Sequence, residues 1–310
     1  MDNTIYFYLP GLVEGIEVIT RLVKRMEEYP SHYYDNIKIG CIYGCPPGAI
    51  WNGGRCMGGA ITDISTENII KLINEMKIPI RYTWTNPCLT EEDLKDRYCN
   101  WVMELSKNYS NEVLVNTELF ENFIREKYPE FELVSSTTKR INNIDQLNKE
   151  LEKDYKLVVI DYDFNNNWEL LNQIKHPEKC EILINAVCNP KCPLRKEHYR
   201  ILGQIQKRQE VEHTEQTEQI FNCPAQFKTY SQIKKLPTFV SREDLYNKYV
   251  PAGFHHFKIE GRASGMYTPI RLLYWILYYM VKPEFEEEER GILEQGLDEG
   301  ILSPRFPIYY

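Results

Sequence analysis

The chain has 310 residues, of which 43% are hydrophobic and 26% charged, the make-up of a soluble globular protein with enough apolar side chains for a substantial core. Its net charge of -8 argues against a broad phosphate-binding surface, although Lys191, Arg195, Lys196 and Arg200 make a local basic segment inside the acidic whole. The N-terminus lacks the basic start and long apolar run of a signal peptide and no stretch reaches the length of a membrane span, so the expected location is the cytoplasm, with no membrane partner.

Ile5 to Leu9 reads as a short strand stopped by Pro10-Gly11, and Val13 to Glu28 follows with Ile16, Ile19, Leu22, Val23 and Met26 at helical spacing. Ile37 to Tyr43 and Ser65 to Lys77 repeat the pair, separated by a Gly- and Pro-rich loop from Gly44 to Asp63. Four more units follow: Ile78 to Trp84 with Thr90 to Lys107, Glu112 to Val115 with Glu118 to Tyr128, Glu132 to Val134 with Asn143 to Asp154, and Leu157 to Ile160 with Asn167 to Ile174. Ile182 to Val187 is the seventh strand, with a helix near Pro193 to Gln209, and His256 to Ile259 is the eighth, with Tyr267 to Val281. Alternation of this kind predicts a single-domain α/β fold, a (β/α)8 TIM-like barrel over 1–283, with a doubly wound open sheet as the alternative. The irregular 210–250 stretch reads as an insertion over the site, and 284–310 as a C-terminal extension whose acidic run is a solvated helix surface.

In a barrel the functional groups lie just after the strands. Nine cysteines, at 41, 45, 56, 88, 99, 180, 188, 192 and 223, are many for an intracellular protein, and thiols recur at two strand ends, after the second and the seventh. Cys188 and Cys192 share a turn and could face one soft metal centre; buried cysteines also serve as small apolar fillers. In the second loop, Trp51, Asn52 and Arg55 are suited to stack on, hydrogen-bond to and pair with a substrate, against the alternative of a tightly folded surface loop. Asn86 and Asp161 end two further strands and join them as substrate-binding candidates.

The segments Cys188-Asn-Pro-Lys-Cys192-Pro-Leu-Arg195-x-x-His198, Cys223, Leu236-Pro-Thr-Phe-Val-Ser-Arg-Glu-Asp-Leu245 and Phe257-Lys-Ile-Glu-Gly-Arg262 together resemble the peptidase U32, or collagenase-like, family. The resemblance covers the C-terminal third well; residues 1–180 match in strand-helix rhythm and in the thiols after the second strand. It implies either a protease or an enzyme that carries a four-iron four-sulfur cluster and hydroxylates a small molecule or nucleobase without oxygen, with an electron-transfer partner. No Gly-x-Ser-x-Gly elbow or His-Glu-x-x-His helix supports proteolysis, whereas four thiolates are the usual cluster holder. The expected ligands are Cys188, Cys192, Cys223 and Cys45. His198, Glu260 and Arg262 are the catalytic candidates. For His198 a helix residue bonded to a backbone carbonyl or water is the other reading; Glu260 and Arg262 form either a structural ion pair or, through Arg262, an anion clamp. A non-catalytic, metal-stabilised binding protein is the third functional reading.

Overall fold

A computed structural model describes residues 3–261 and 267–302. Eight parallel strands close into a barrel in sequence order: β1 (Ile5–Pro10), β2 (Ile37–Gly44), β3 (Ile80–Tyr82), β4 (Glu112–Val115), β5 (Glu132–Ser135), β6 (Leu157–Val159), β7 (Cys180–Leu183) and β8 (His256–Lys258). Because β8 pairs back onto β1, the open doubly wound sheet is excluded and the fold is the (β/α)8 barrel. The crossovers carry α1 (Ile16–Glu28), α2 (Asp63–Glu75), α3 (Arg97–Ser106), α4 (Glu118–Lys127), α5 (Ile144–Leu151), the single turn α6 (Trp168–Leu171) and α7 (Arg195–Gln206). Between β7 and β8 the chain adds α8 (Glu215–Phe221), α9 (Tyr230–Lys234) and α10 (Arg242–Asp244), and after β8 come α11 (Tyr267–Met280) and α12 (Glu286–Leu302).

The period of two in each strand sorts side chains into two compartments. Phe7, Ile42, Ile80, Val113, Ile182 and Phe257 point outward and pack with the apolar faces of the helices in one continuous layer. Tyr8, Cys41, Tyr43, Leu114, Val134 and Leu157 point into the barrel. Side-chain caps start several helices: Thr62, Asp96, Thr117 and Asn143 accept backbone N–H groups at the heads of α2, α3, α4 and α5, each worth about 1 kcal/mol. The β1–β2 ladder slips by one residue at Gly40, where a Cβ would come within 2.7 Å of the Tyr8 ring. Only glycine leaves that ring its place inside the barrel.

The centre of the barrel is charged. Arg81, Glu112 and Glu181 are buried; Arg81 Nε donates to Glu112 Oε2 at 2.6 Å and its Nη1 donates to Glu181. Lys258 Nζ approaches Glu181 Oε1 to 3.4 Å from the C-terminal side, and Lys156 Nζ reaches Glu112 Oε1 at 2.8 Å. Burial pushes the Glu181 carboxyl up, but Arg81 and Lys258 outweigh it and hold the pKa below the usual carboxylate range.

Three expectations need correction. The seventh strand begins at Cys180, not Ile182, and ends at Leu183. Ile184 to Val187 are apolar because the insertion covers them: Val240 N–H donates to Ile184 O at 2.9 Å. The 210–250 stretch is largely helical rather than a loop. The acidic run is not wholly solvated, since Glu289 in α12 is 0% exposed and accepts from Arg25 Nε at 3.0 Å and Tyr33 Oη at 2.8 Å, with His32 Nδ1 at 2.6 Å. No described helix is long and apolar enough to cross a membrane.

Candidate functional site at the barrel mouth

Above the charged centre, the C-terminal strand ends enclose a cavity of about 70 Å³, room for a few water molecules or one small polar group. Lys258 lies at its inner end beside Tyr43 and Leu114. Thr83, Thr85, Ser136 and Tyr162 supply hydroxyls to its walls, and Arg55, Cys188 and Glu260 reach it from the loops.

Arg55 is brought there by a loop sewn down at several points. Gly53 N–H donates to Thr83 O and Asn86 N–H to Trp51 O, both at 3.1 Å, so the loop runs along the end of β3. Gln206 of α7 donates through Nε2 to Ala49 O at 3.0 Å and accepts from Met57 N–H at 2.8 Å. Arg55 then pairs with Glu260, whose other carboxylate oxygen accepts from Val187 N–H at 3.1 Å. Asn185 fixes the Glu260 backbone by donating to its carbonyl at 2.7 Å and accepting its N–H at 2.6 Å. Glu260 therefore links β8, the second loop and the start of the cysteine turn.

That turn, from Cys188 to Cys192, is held from three further directions. Arg195, 1% exposed, donates to Asn189 O at 2.8 Å, and Lys228 Nζ donates to Asn189 Oδ1 at 2.6 Å and Val187 O at 2.9 Å. Lys191, in the left-handed region at φ 50°, donates its N–H to Asp163 Oδ1 at 2.9 Å. Asp161 accepts from Arg195 at 3.1 Å and from Arg140. Burial raises the Asp161 pKa, whereas at Asp163 burial is outweighed by the Lys191 N–H and by Arg195, and its pKa falls.

Several residues chosen as substrate contacts are instead supports. Trp51 is 0% exposed, donates through Nε1 to Asp93 O at 2.7 Å and packs edge-on against Phe120, so it offers no stacking face. Asn52 donates to Arg55 O at 2.6 Å and accepts from Thr83 Oγ1 at 2.7 Å. Asn86 donates to Ile50 O at 2.8 Å and Gly203 O at 3.0 Å, tying the second loop to α7 rather than rimming the cavity. Asp161 is absorbed in its ion network. His198 is half-buried beside Arg55 and outside the cavity lining; burial first and Arg55 second lower its pKa to about 4, leaving a neutral imidazole. Arg262 lies outside the described residues.

The thiols divide. Cys188 lines the central cavity, and Cys192 opens on a neighbouring basic groove of about 670 Å³ bordered by Lys139, Arg140, Lys191 and Lys196. Cys223 precedes the short turn Pro224–Phe227, and the following Lys228 joins that segment to the Cys188 turn. Cys45 is 0% exposed in the sheet-helix layer near Tyr98, a different compartment from the cavity. Cys180 bonds His176 O at 3.4 Å at the opposite end of the barrel.

No family model matches the chain, and no curated protein does either. A solved structure of a U32 peptidase superposes with a TM-score of 0.50 over 84% of this chain and 94% of that one, at 12% sequence identity. The likeness is one of fold.

Lys258, Thr83 and Thr85 are among the cavity residues that the sequence reading missed. Their signal was parity: residues 256, 258 and 260, like 81, 83 and 85, alternate, and one polar member inside the barrel predicts that the next faces its mouth.

Proposed function

We propose that the chain is an iron-sulfur enzyme that modifies a small molecule or nucleobase in an oxygen-independent, hydroxylase-like reaction at the barrel mouth. The observation that supports this reading is the cysteine turn, pinned from Glu260, Arg195, Lys228 and Asp163. Such preorganisation suits a turn that holds a ligand. The donors this reading relies on are Cys188, Cys192 and Cys223, which come from two joined segments, with Cys188 and Cys192 opening on adjacent cavities; Cys45 lies in the outer layer. When bound, a cluster supplies one-electron transfer. The protein's own part is to fix the turn through Glu260, to present Lys258 and the wall hydroxyls to the substrate, and to restrict water to the small cavity. A compact zinc site is less well served: thiolates on one zinc lie about 3.8 Å apart, and among the described residues the one group of metal-type side chains with ligand atoms all within 4.8 Å of one another is His32, Glu288 and Glu289, which contains no cysteine. The U32 peptidase of similar fold raises proteolysis as the competitor, but among the described residues no imidazole lines the cavity around Cys188 to serve as its base.

Anaerobic purification with iron, sulfide and zinc analysis tests the proposal. Iron and sulfide should be present in wild type and C45A, and each of C188A, C192A and C223A should lose them. Iron-free anaerobic protein, or peptide cleavage that survives chelation, would overturn it; zinc without turnover would favour a metal-stabilised binding protein.

A further inference from the structure

At about 70 Å³ the central cavity admits a small group but not a whole substrate, since ligand pockets run to roughly 300–1,000 Å³. Its inner lining is shut away: Tyr43, Thr83, Thr85, Ser136, Tyr162 and Lys258 are each 6% exposed or less. The surrounding walls differ in how they are held. The Cys188 turn is pinned from four sides, and the first half of the second loop carries backbone bonds, Gly53 N–H to Thr83 O and Asn86 N–H to Trp51 O. Residues 54–59, by contrast, make no backbone–backbone hydrogen bond among the described residues. Side chains alone hold them. Asn52 donates to Arg55 O at 2.6 Å, Gln206 bonds Met57 N–H at 2.8 Å and Met57 O at 3.2 Å, Cys56 Sγ reaches Leu202 O at 3.4 Å, and Arg55 pairs with Glu260.

We infer that residues 54–59 are a gate over the barrel mouth, hinged at Gly54 and Gly59 and latched by the Arg55–Glu260 ion pair. Both hinge glycines lie in the left-handed region, at φ 72° and 81°, where the chain turns without a side-chain penalty. The tip between them lies over the opening rather than against a core. A Cβ on Gly58 would meet nothing within 4 Å, and one on Gly54 would meet only Thr138 and Thr85 in the cavity wall, at 3.5 and 3.9 Å. The latch is built to release. Its side chains are 26% and 12% exposed, so water reaches the pair and parting it strands neither charge in a dry interior. Glu260 also keeps the gate separate from the cysteine turn: one carboxylate oxygen takes Arg55 and the other accepts from Val187 N–H, so the turn stays in place when Arg55 leaves. Gln206 of α7, outside the cavity lining, is the second latch. A segment with few backbone bonds between two hinges is the usual make-up of a lid.

Each latch can be tested at a point the other does not touch. The Met57 amide is bonded to Gln206 and exchanges when the tip lifts. Amide exchange resolved to single residues, on the anaerobically purified full chain, should show Met57 roughly tenfold faster in R55M than in wild type, with Gly53 and Asn86 unchanged. Access is read at Cys188 in the cavity, with Cys192 in the neighbouring groove as internal reference. In the reduced, chelated full chain, Q206A should speed iodoacetamide modification of Cys188 several-fold relative to Cys192, and Gln206 supplies no charge that could alter the thiol directly. R55M keeps the inference testable even if Q206A fails to fold. The inference is overturned if R55M leaves Met57 exchange unchanged, if Gly53 and Asn86 accelerate with it, or if folded Q206A leaves the ratio of Cys188 to Cys192 unchanged. Iron content of the same samples judges the proposed enzyme separately, because the gate does not depend on what the thiols hold.

Discussion

Replacing Arg81 by Met tests the charged centre of the barrel. Removing one partner of a fully buried ion pair typically costs about 3–5 kcal/mol, because the other charge is left without compensation. Here each orphaned carboxylate keeps one cation, Glu112 having Lys156 at 2.8 Å and Glu181 having Lys258 at 3.4 Å. The expected loss therefore lies near the lower limit, about 3 kcal/mol. The R81M/E181Q double variant should cost less than the sum of the single changes by about 1 kcal/mol or more, since the two residues share a contact. pH supplies a second readout. The folded Glu181 pKa is depressed, so its contribution is complete above the unfolded value of about 4.3 and is lost as pH falls through the folded value. R81M weakens that depression and should begin to lose stability at higher pH than wild type. Urea unfolding followed by circular dichroism, extrapolated to water, measures both effects. A variant within about 0.5 kcal/mol of wild type, with an unchanged slope, would refute the reasoning.

Substituting Arg55 by Met should raise the His198 pKa from about 4 without restoring it fully, because burial is the larger cause; imidazole proton NMR across pH 3–8 reads this directly, and an unmoved resonance would separate the two residues. Because the folded His198 pKa is depressed, its contribution to stability is full above about pH 6.5 and is lost as pH falls toward the folded value, a dependence that H198Q should remove. Glu289→Ala should cost about 3 kcal/mol and speed amide exchange in α1 and α12 before the barrel strands, since it leaves the buried Arg25 with only the exposed Glu288, at 3.2 Å; uniform exchange would show that α12 is not separately clamped. Gly53→Ala should displace the second loop, because a Cβ there would collide with the Thr85 backbone; loss of the R55M effect on His198 in that background is the check, and an intact effect would count against the loop's role.

The barrel was legible because its strands are short apolar runs with helices of 3.6-residue period between them, and both patterns are local. The seventh strand misled because its apolar run continues to Val187, where the cover is the insertion, a long-range fact. Buried charge was the other blind spot. Arg81, Glu112 and Glu181 look like ordinary polar residues in sequence, and only closure of the ring brings their strands together around one axis. Arg55 and Glu260 were found because they follow strands, and their pairing depends on a loop whose supports, Asn52, Asn86 and Gln206, come from three segments. Trp51 failed as a stacking residue since a Gly-rich neighbourhood reads alike whether its aromatic ring turns inward or outward.

The seam between β1 and β8 also sets a timetable. Tyr6 pairs with His256, and until residues 256–258 have been synthesised both β1 and β7 are open sheet edges. At about 5–20 residues per second, the stretch between the end of β7 at Leu183 and the start of β8 at His256 keeps the nascent chain in that unsealed state for roughly 4–15 s. Throughout that interval Glu181 lacks Lys258, and the two exposed edges can recruit another chain. The final strand is thus a latch supplied late, and sites of slow translation before it would lengthen the chain's exposure to aggregation.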